Sequence, residues 1–176
     1  LVWLADTSAA SAAFREALRA DPADEMGASL ELARIDETAS VAAAPPAFVE
    51  ALFNAYAQDF DAALAGRLAY DAPRRIAEMV RAARPGMRFP RAIDLGCGTG
   101  LAGEALAGDI GRLEGVDISG GMIEAARMRG VYDALHRAEI VDFLAASTDR
   151  YNLAIAADVF VYFGDLEPAF GAVASR

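Results

Sequence analysis

The feature that most constrains this chain is the string Asp94-Leu95-Gly96-Cys97-Gly98-Thr99-Gly100, which follows an apolar run over 91–95 and opens a helical pattern over 100–107. A glycine-rich turn between a strand and a helix is where α/β sheets bind nucleotides. Backbone without side chains lets the ligand approach, and the start of the helix offers unpaired amides that suit an anionic group. Seventeen residues past Gly100, Gly115-Val116-Asp117 closes a second apolar run and puts a carboxylate where it can accept ribose hydroxyl protons. Both features point to one ligand at the ends of neighbouring strands.

The rest of the pattern agrees with a parallel sheet covered on both faces. Strands are expected near 91–95, 112–117, 134–138 and 152–157. They alternate with helices near 100–107, 119–129 and 139–146, and a last helix starts from about 165. Upstream, Phe48, Leu52, Tyr56, Phe60 and Leu64 recur every four residues and predict a helix, and another runs over 73–84 from Pro73 to the stop at Pro85-Gly86. Near the start, Ala10, Phe14 and Ala17 share one face of a helix over 7–20, capped by Thr7 or Ser8 and ended by Asp21-Pro22. A helix over 24–37 with Met26, Leu30 and Ala33 follows, then a linker at 38–47 containing Pro45-Pro46. The expected division is a helical segment over 1–38, a linker over 39–47 and an α/β domain over 48–176.

Charge narrows the partners. The chain has 26 acidic residues against 16 basic ones, none of them lysine, for a net charge of -10, which repels nucleic acid backbones and anionic lipid alike. No apolar run reaches the length of a membrane span and no cleavable signal stands out, so a cytoplasmic protein is expected. One cysteine, Cys97, and one histidine, His136, give neither a disulfide nor a cluster with metal-ligand spacing. No metal is therefore expected. Leu1 in place of an initiating Met implies that upstream sequence is absent.

Gly98-Thr99-Gly100-Leu101-Ala102-Gly103 also fits the dinucleotide pattern G-x-G-x-x-G, so the loop alone leaves the cofactor open. The full string Asp94–Gly100, with Gly115-Val116-Asp117-Ile118-Ser119 and Met122 beyond it, resembles the class I S-adenosylmethionine-dependent methyltransferases. More narrowly, Phe53-Asn54-Ala55-Tyr56-Ala57 with Phe60-Asp61, Leu68-Ala69-Tyr70, and Asp158 through Leu166 resemble bacterial methyltransferases that carry tetratricopeptide repeats. The spacing Ala10, Phe14, Ala17, Pro22 is similar to half of such a repeat, an ordinary helical hairpin being the other reading.

The resemblance implies a Rossmann-like doubly wound sheet of seven strands, the last three of which are absent here. It implies S-adenosylmethionine as cofactor, with Gly96, Cys97, Gly98 and Gly100 forming its loop and Asp117 on the ribose. Asp94 either orients that loop through backbone amides or meets the ligand. Ile118 and Met122 either wall the adenine or are plain core residues, and Glu139 meets the adenine amino group. Tyr56 is either a core residue or a contact to the cofactor's carboxylate. The family usually has Asp where Asn152 stands. Tyr70, Asp158 and Tyr162 fall on the acceptor side, with Asp158 and Tyr162 the candidates for assisting deprotonation of the acceptor. Cys97 lacks an activating histidine and is not expected to be a nucleophile.

The expected activity is methyl transfer to a small-molecule acceptor. A nicotinamide-dependent oxidoreductase and a non-catalytic cofactor-binding module are the alternatives. Isolated repeats cannot bury their own apolar face, which implies missing upstream repeats or docking on the α/β domain, and the helical segment is also a candidate surface for a protein partner. The apolar strand at 152–157 would be a bare edge if the sheet ended there, so it is expected to be covered by another chain or by a segment outside these residues, and the fragment alone to be poorly soluble or dimeric.

Overall fold

Four apolar runs become the strands of one parallel sheet: β1 (Phe89–Leu95), β2 (Ile110–Asp117), β3 (Ala134–Arg137) and β4 (Leu153–Ala156). The structure is a computed structural model and describes residues 7–57, 60–61 and 70–176. The strand order is β3-β2-β1-β4, with Ala92 of β1 opposite Leu113 of β2 on one side and Leu153 of β4 on the other. The chain winds outward from β1 to β3 and then crosses back to lay β4 beside β1. The winding reverses between β1 and β4, and the loops leaving these strands diverge into a crevice at their carboxyl ends.

Helices close both faces. On one, α4 (Ala72–Ala83) and α5 (Leu101–Leu106) bring Ala77, Ala102 and Leu106 against Ala92, Leu113 and Ile155. On the other, α7 (Ile140–Ala146) and α8 (Glu167–Ala174) set Ile140, Leu144, Ala172 and Val173 against Ile93, Leu95 and Val116. Each large aliphatic side chain buried this way stabilises the fold by roughly 1.5–3 kcal/mol. Between them in sequence, α6 (Gly120–Arg129) begins at Ser119, whose Oγ accepts the Met122 amide at 3.1 Å.

One charge sits inside the sheet. Glu114 on β2 is almost fully buried, and its carboxylate accepts from Arg91 at 2.6 Å and Arg112 at 2.9 Å, with His136 Nε2 3.3 Å away. Burial by itself would raise the Glu114 pKa, but the arginines outweigh it and the carboxyl is held below its usual value. His136, tilted against Phe143 at 4.7 Å, serves this network. Asn152, just before β4, accepts the Arg91 amide on Oδ1 at 3.2 Å and donates its own amide to the Arg91 carbonyl at 2.8 Å.

Ahead of the sheet lie α1 (Thr7–Ala20), α2 (Ala28–Ile35) and α3 (Pro46–Tyr56). α2 starts later than the apolar spacing predicts because Asp24 and Gly27 take positive φ of 57° and 70°. The Asp24 carboxylate instead caps the helix from outside, accepting the amides of Ala28 at 2.6 Å and Ser29 at 3.0 Å. α1 and α2 pack as a hairpin tied by Arg15 and Asp36 at 2.5 Å, and α1 buries none of its residues fully. α3 opens inside the expected linker, since Pro46 is preset for a first helical turn, and it ends at Tyr56. Phe60 and Asp61 are helical again, while Leu64, Leu68 and Ala69 fall outside the described residues.

On its far side β4 meets no further strand among the described residues. No described helix is long and apolar enough to cross a membrane.

Candidate functional site

The crevice at the carboxyl ends of β1 and β4 is a cavity of about 610 Å³. Its floor is the loop Gly96–Thr99. Gly98 stands at φ 54°, and a Cβ there would meet no atom within 4 Å, so a side chain at this position would project into open space at the cavity floor. Asp117, at the end of β2 and 8% exposed, accepts the Gly98 amide at 2.9 Å and the Ser119 amide at 2.8 Å. Burial raises its pKa against these amides, and each oxygen keeps acceptor capacity toward the cavity.

Asp94 lies at the centre. It is fully buried, its Oδ2 accepts the Tyr132 hydroxyl at 2.7 Å, and its Oδ1 has no hydrogen-bond partner. Burial pushes its pKa up to about 7; the Asp117 charge adds to this, while the Tyr132 hydroxyl and the nearby Gly103 amide oppose it. Asp94 therefore does not organise the loop through several amides, which was one of the two roles its position allowed. It is held by a tyrosine that the motif does not contain.

Tyr132 reaches Asp94 through a slot that glycines leave open. A Cβ on Gly103 would stand 2.3 Å from the Tyr132 oxygen, and one on Gly115 would stand 3.0 Å from the ring. The third glycine of G-x-G-x-x-G is needed here to admit this ring. Arg129 fastens the same region, with Nε donating to the Thr99 carbonyl at 2.5 Å and its other nitrogens meeting Glu104 and Asp61.

The remaining sequence candidates divide. Gly96, Cys97, Ile118 and Glu139 line the cavity. Glu139 also caps α7, accepting the Asp142 amide at 2.9 Å. Burial, with the charges of Asp94 and Asp117, drives the Cys97 thiol pKa far up, which leaves it a neutral wall residue. Gly100 is the N-cap of α5, outside the wall.

Tyr56 departs from both of its readings, and Met122 takes its core reading rather than the adenine wall. The Met122 side chain is 1% exposed and outside the wall, because the Ser119 cap fixes it in the first turn of α6 with its side chain in the core. Tyr56 is in the last turn of α3, 55% exposed, and neither lines the cavity nor joins the core.

The other half of the cavity comes from far apart in the sequence. Asp158, just past β4, has φ 53°, a conformation uncommon outside glycine, and it lines the wall with Tyr70 and Tyr162. Burial and then the Asp158 carboxylate raise the Tyr70 pKa, and the same two causes raise that of Tyr162. Phe53 of α3 meets the Tyr162 ring edge-on at 5.4 Å.

A strap over 42–44 covers this end. The Ala44 amide donates to the Tyr162 carbonyl at 3.3 Å, and Gly164 lies so close that a Cβ there would overlap the Ala42 oxygen at 1.1 Å. Asn54 pins the roof to the start of α6, accepting the Ser119 hydroxyl at 2.7 Å and the Gly121 amide at 3.0 Å. Sequence reasoning missed Tyr132 and the strap, which carry no local signal, and gave no role to Asn54 although it falls in the stretch Phe53–Ala57 singled out above.

Residues 92–175 match a family model described as a methyltransferase domain. Over these residues, a little under half of its length, the chain is similar to that family, and its parallel α/β sheet has the Rossmann-like fold of class I methyltransferases. Over 85 residues it is 40% identical to human methyltransferase-like protein 27, a span that is 47% of this chain and 34% of that protein. Among solved structures, Streptomyces venezuelae DesVI is 25% identical with a TM-score of 0.52, over 69% of this chain and 50% of its own. CalS10, an amino pentose methyltransferase from Micromonospora echinaspora solved with S-adenosylmethionine bound, is 28% identical with a TM-score of 0.51, over 66% of this chain and 49% of its own. The chain thus spans about half the length of these structures and a third of the curated relative.

Proposed function

We propose that the protein binds S-adenosylmethionine in the crevice between β1 and β4 and transfers its methyl group to a small molecule. The observation that carries this reading is that the Asp117 carboxylate and the open space over Gly98 share one cavity, with Asp94 among its lining residues. A ligand with a ribose and an amino-acid chain supplies the donors that these acceptors lack. In this reading Asp117 takes the ribose hydroxyls, and the loop Gly96–Gly98 lies against the amino-acid chain. Ile118 walls the adenine and Glu139 accepts from its amino group.

Bound there, the cofactor supplies a methyl group already activated by its positive sulfur, so the protein's task is to align the two reactants and exclude water. The strap, Phe53 and Tyr162 exclude water on the acceptor side. Asp158 stands where it can take the acceptor's proton, with the Tyr162 hydroxyl beside it. The amino pentose acted on by CalS10 supports a small acceptor, as does a cavity roofed by the chain's own strap and α3.

Titration calorimetry with S-adenosylmethionine, S-adenosylhomocysteine and NAD tests the cofactor. The two sulfur compounds are expected to bind with a 1:1 stoichiometry while NAD gives no heat. Binding of NAD alone would overturn the reading in favour of hydride transfer.

A further inference from the structure

Among the described residues that line the cavity there are five carboxylates, Asp94, Asp117, Glu139, Asp158 and Asp165, and no arginine or histidine; the chain has no lysine. An acceptor carrying a carboxylate or phosphate would meet like charge, and no cation, among the described lining residues. Four of the five acids are engaged by other groups. Asp94 accepts from Tyr132, Asp117 from two amides, Glu139 from the Asp142 amide and Asp165 from the Glu167 amide at 2.9 Å.

Asp158 is also met by a protein group, the Tyr70 hydroxyl, but it differs in being an exposed acid at the aromatic end of the cavity. The groups set against it are the hydroxyls of Tyr70 and Tyr162, and its backbone holds a positive φ that few side-chain-bearing residues adopt. The rings of those tyrosines and of Phe53 line the same wall, and the strap and Val49 complete it with apolar surface. A carboxylate among aromatic faces is an arrangement that attracts an ammonium group, since the ring quadrupoles and the negative charge act in the same direction.

We propose that the acceptor is an apolar amine, held as its ammonium ion by Asp158 and the neighbouring aromatic rings; this rests on the methyl-transfer reading above. One proton passes to an Asp158 oxygen. The freed nitrogen lone pair forms the new N–C bond as the methyl C–S bond breaks and its electron pair goes to sulfur. The products are the N-methylated ammonium ion and a neutral thioether, and Asp158 returns its proton to water.

The test is calorimetry on the full chain saturated with S-adenosylhomocysteine, titrated with three probes of similar size, 2-phenylethylamine, 2-phenylethanol and 3-phenylpropanoate. The amine is expected to bind at least tenfold more tightly than the alcohol, with no heat from the carboxylate. D158N is expected to bring amine and alcohol within about twofold of each other. The wild-type series decides the matter even if that variant does not fold: no binding of the amine, or binding of the alcohol or carboxylate as tight as the amine's, overturns the proposal. Failure of S-adenosylhomocysteine itself to bind would sink the methyl-transfer reading and this inference with it. Cofactor binding without the amine preference sinks the inference alone.

Discussion

Replacing Asp94 by asparagine isolates the cost of keeping a carboxyl group at the centre of the cavity floor. Its folded pKa is raised from 3.8 to about 7, chiefly by burial. The folded protein therefore holds a proton that the unfolded chain has already released between those two values. Whatever stability the neutral group allows is complete below pH 3.8 and is lost as pH rises through about 7.

At about 1.4 kcal/mol per pH unit, raising the pH from 5 to 8 should remove about 3 kcal/mol from the wild type through this group alone. A carboxamide cannot ionise, so D94N lacks that slope. Any fixed cost of the substitution, such as an unpaired amide hydrogen where Oδ1 has no partner, is the same at both values and cancels from the comparison. Urea unfolding of both proteins without cofactor at pH 5 and pH 8 measures it. The stability difference should move by several kcal/mol in favour of the variant at the higher pH. Parallel pH dependences of the two proteins would refute the burial argument and mean that Asp94 is ionised in the free protein throughout.

Two further outcomes follow from the same floor. D117A should weaken S-adenosylmethionine binding by roughly 1–3 kcal/mol, the cost of removing an acceptor from buried donors, and an unchanged dissociation constant by calorimetry would remove Asp117 from the ribose. The two loop glycines should fail differently. G98V should lose cofactor binding yet stay folded by circular dichroism, its unfolding midpoint lowered by the strain of a branched residue at φ 54° but not by a clash, while G103A should lower the midpoint because its Cβ overlaps Tyr132 at 2.3 Å. Binding retained by G98V, or an unshifted midpoint for G103A, would contradict these placements.

The sequence by itself determined the strands, the loop and the carboxylate that faces it, because these depend on neighbours in the chain. Continuous apolar runs make buried parallel strands, glycines permit the turn at 96–100, and Asp117 ends its strand by position alone. It could not tell which side chains enter the cavity. Met122 and Tyr56 both fit the motif pattern, yet a serine cap fixes one in the core and a helix end leaves the other in solvent.

Only the tertiary structure decided what braces and closes the cavity. Tyr132 is 38 residues from Asp94, Asn54 is 65 from Ser119, and the strap reaches Gly164 from the far end of the chain. Contacts at such separations are fixed by how helices pack on a finished sheet, and local propensity holds no record of them. The glycines at 103, 115 and 164 were visible as residues, but the ring and the backbone they make room for were not.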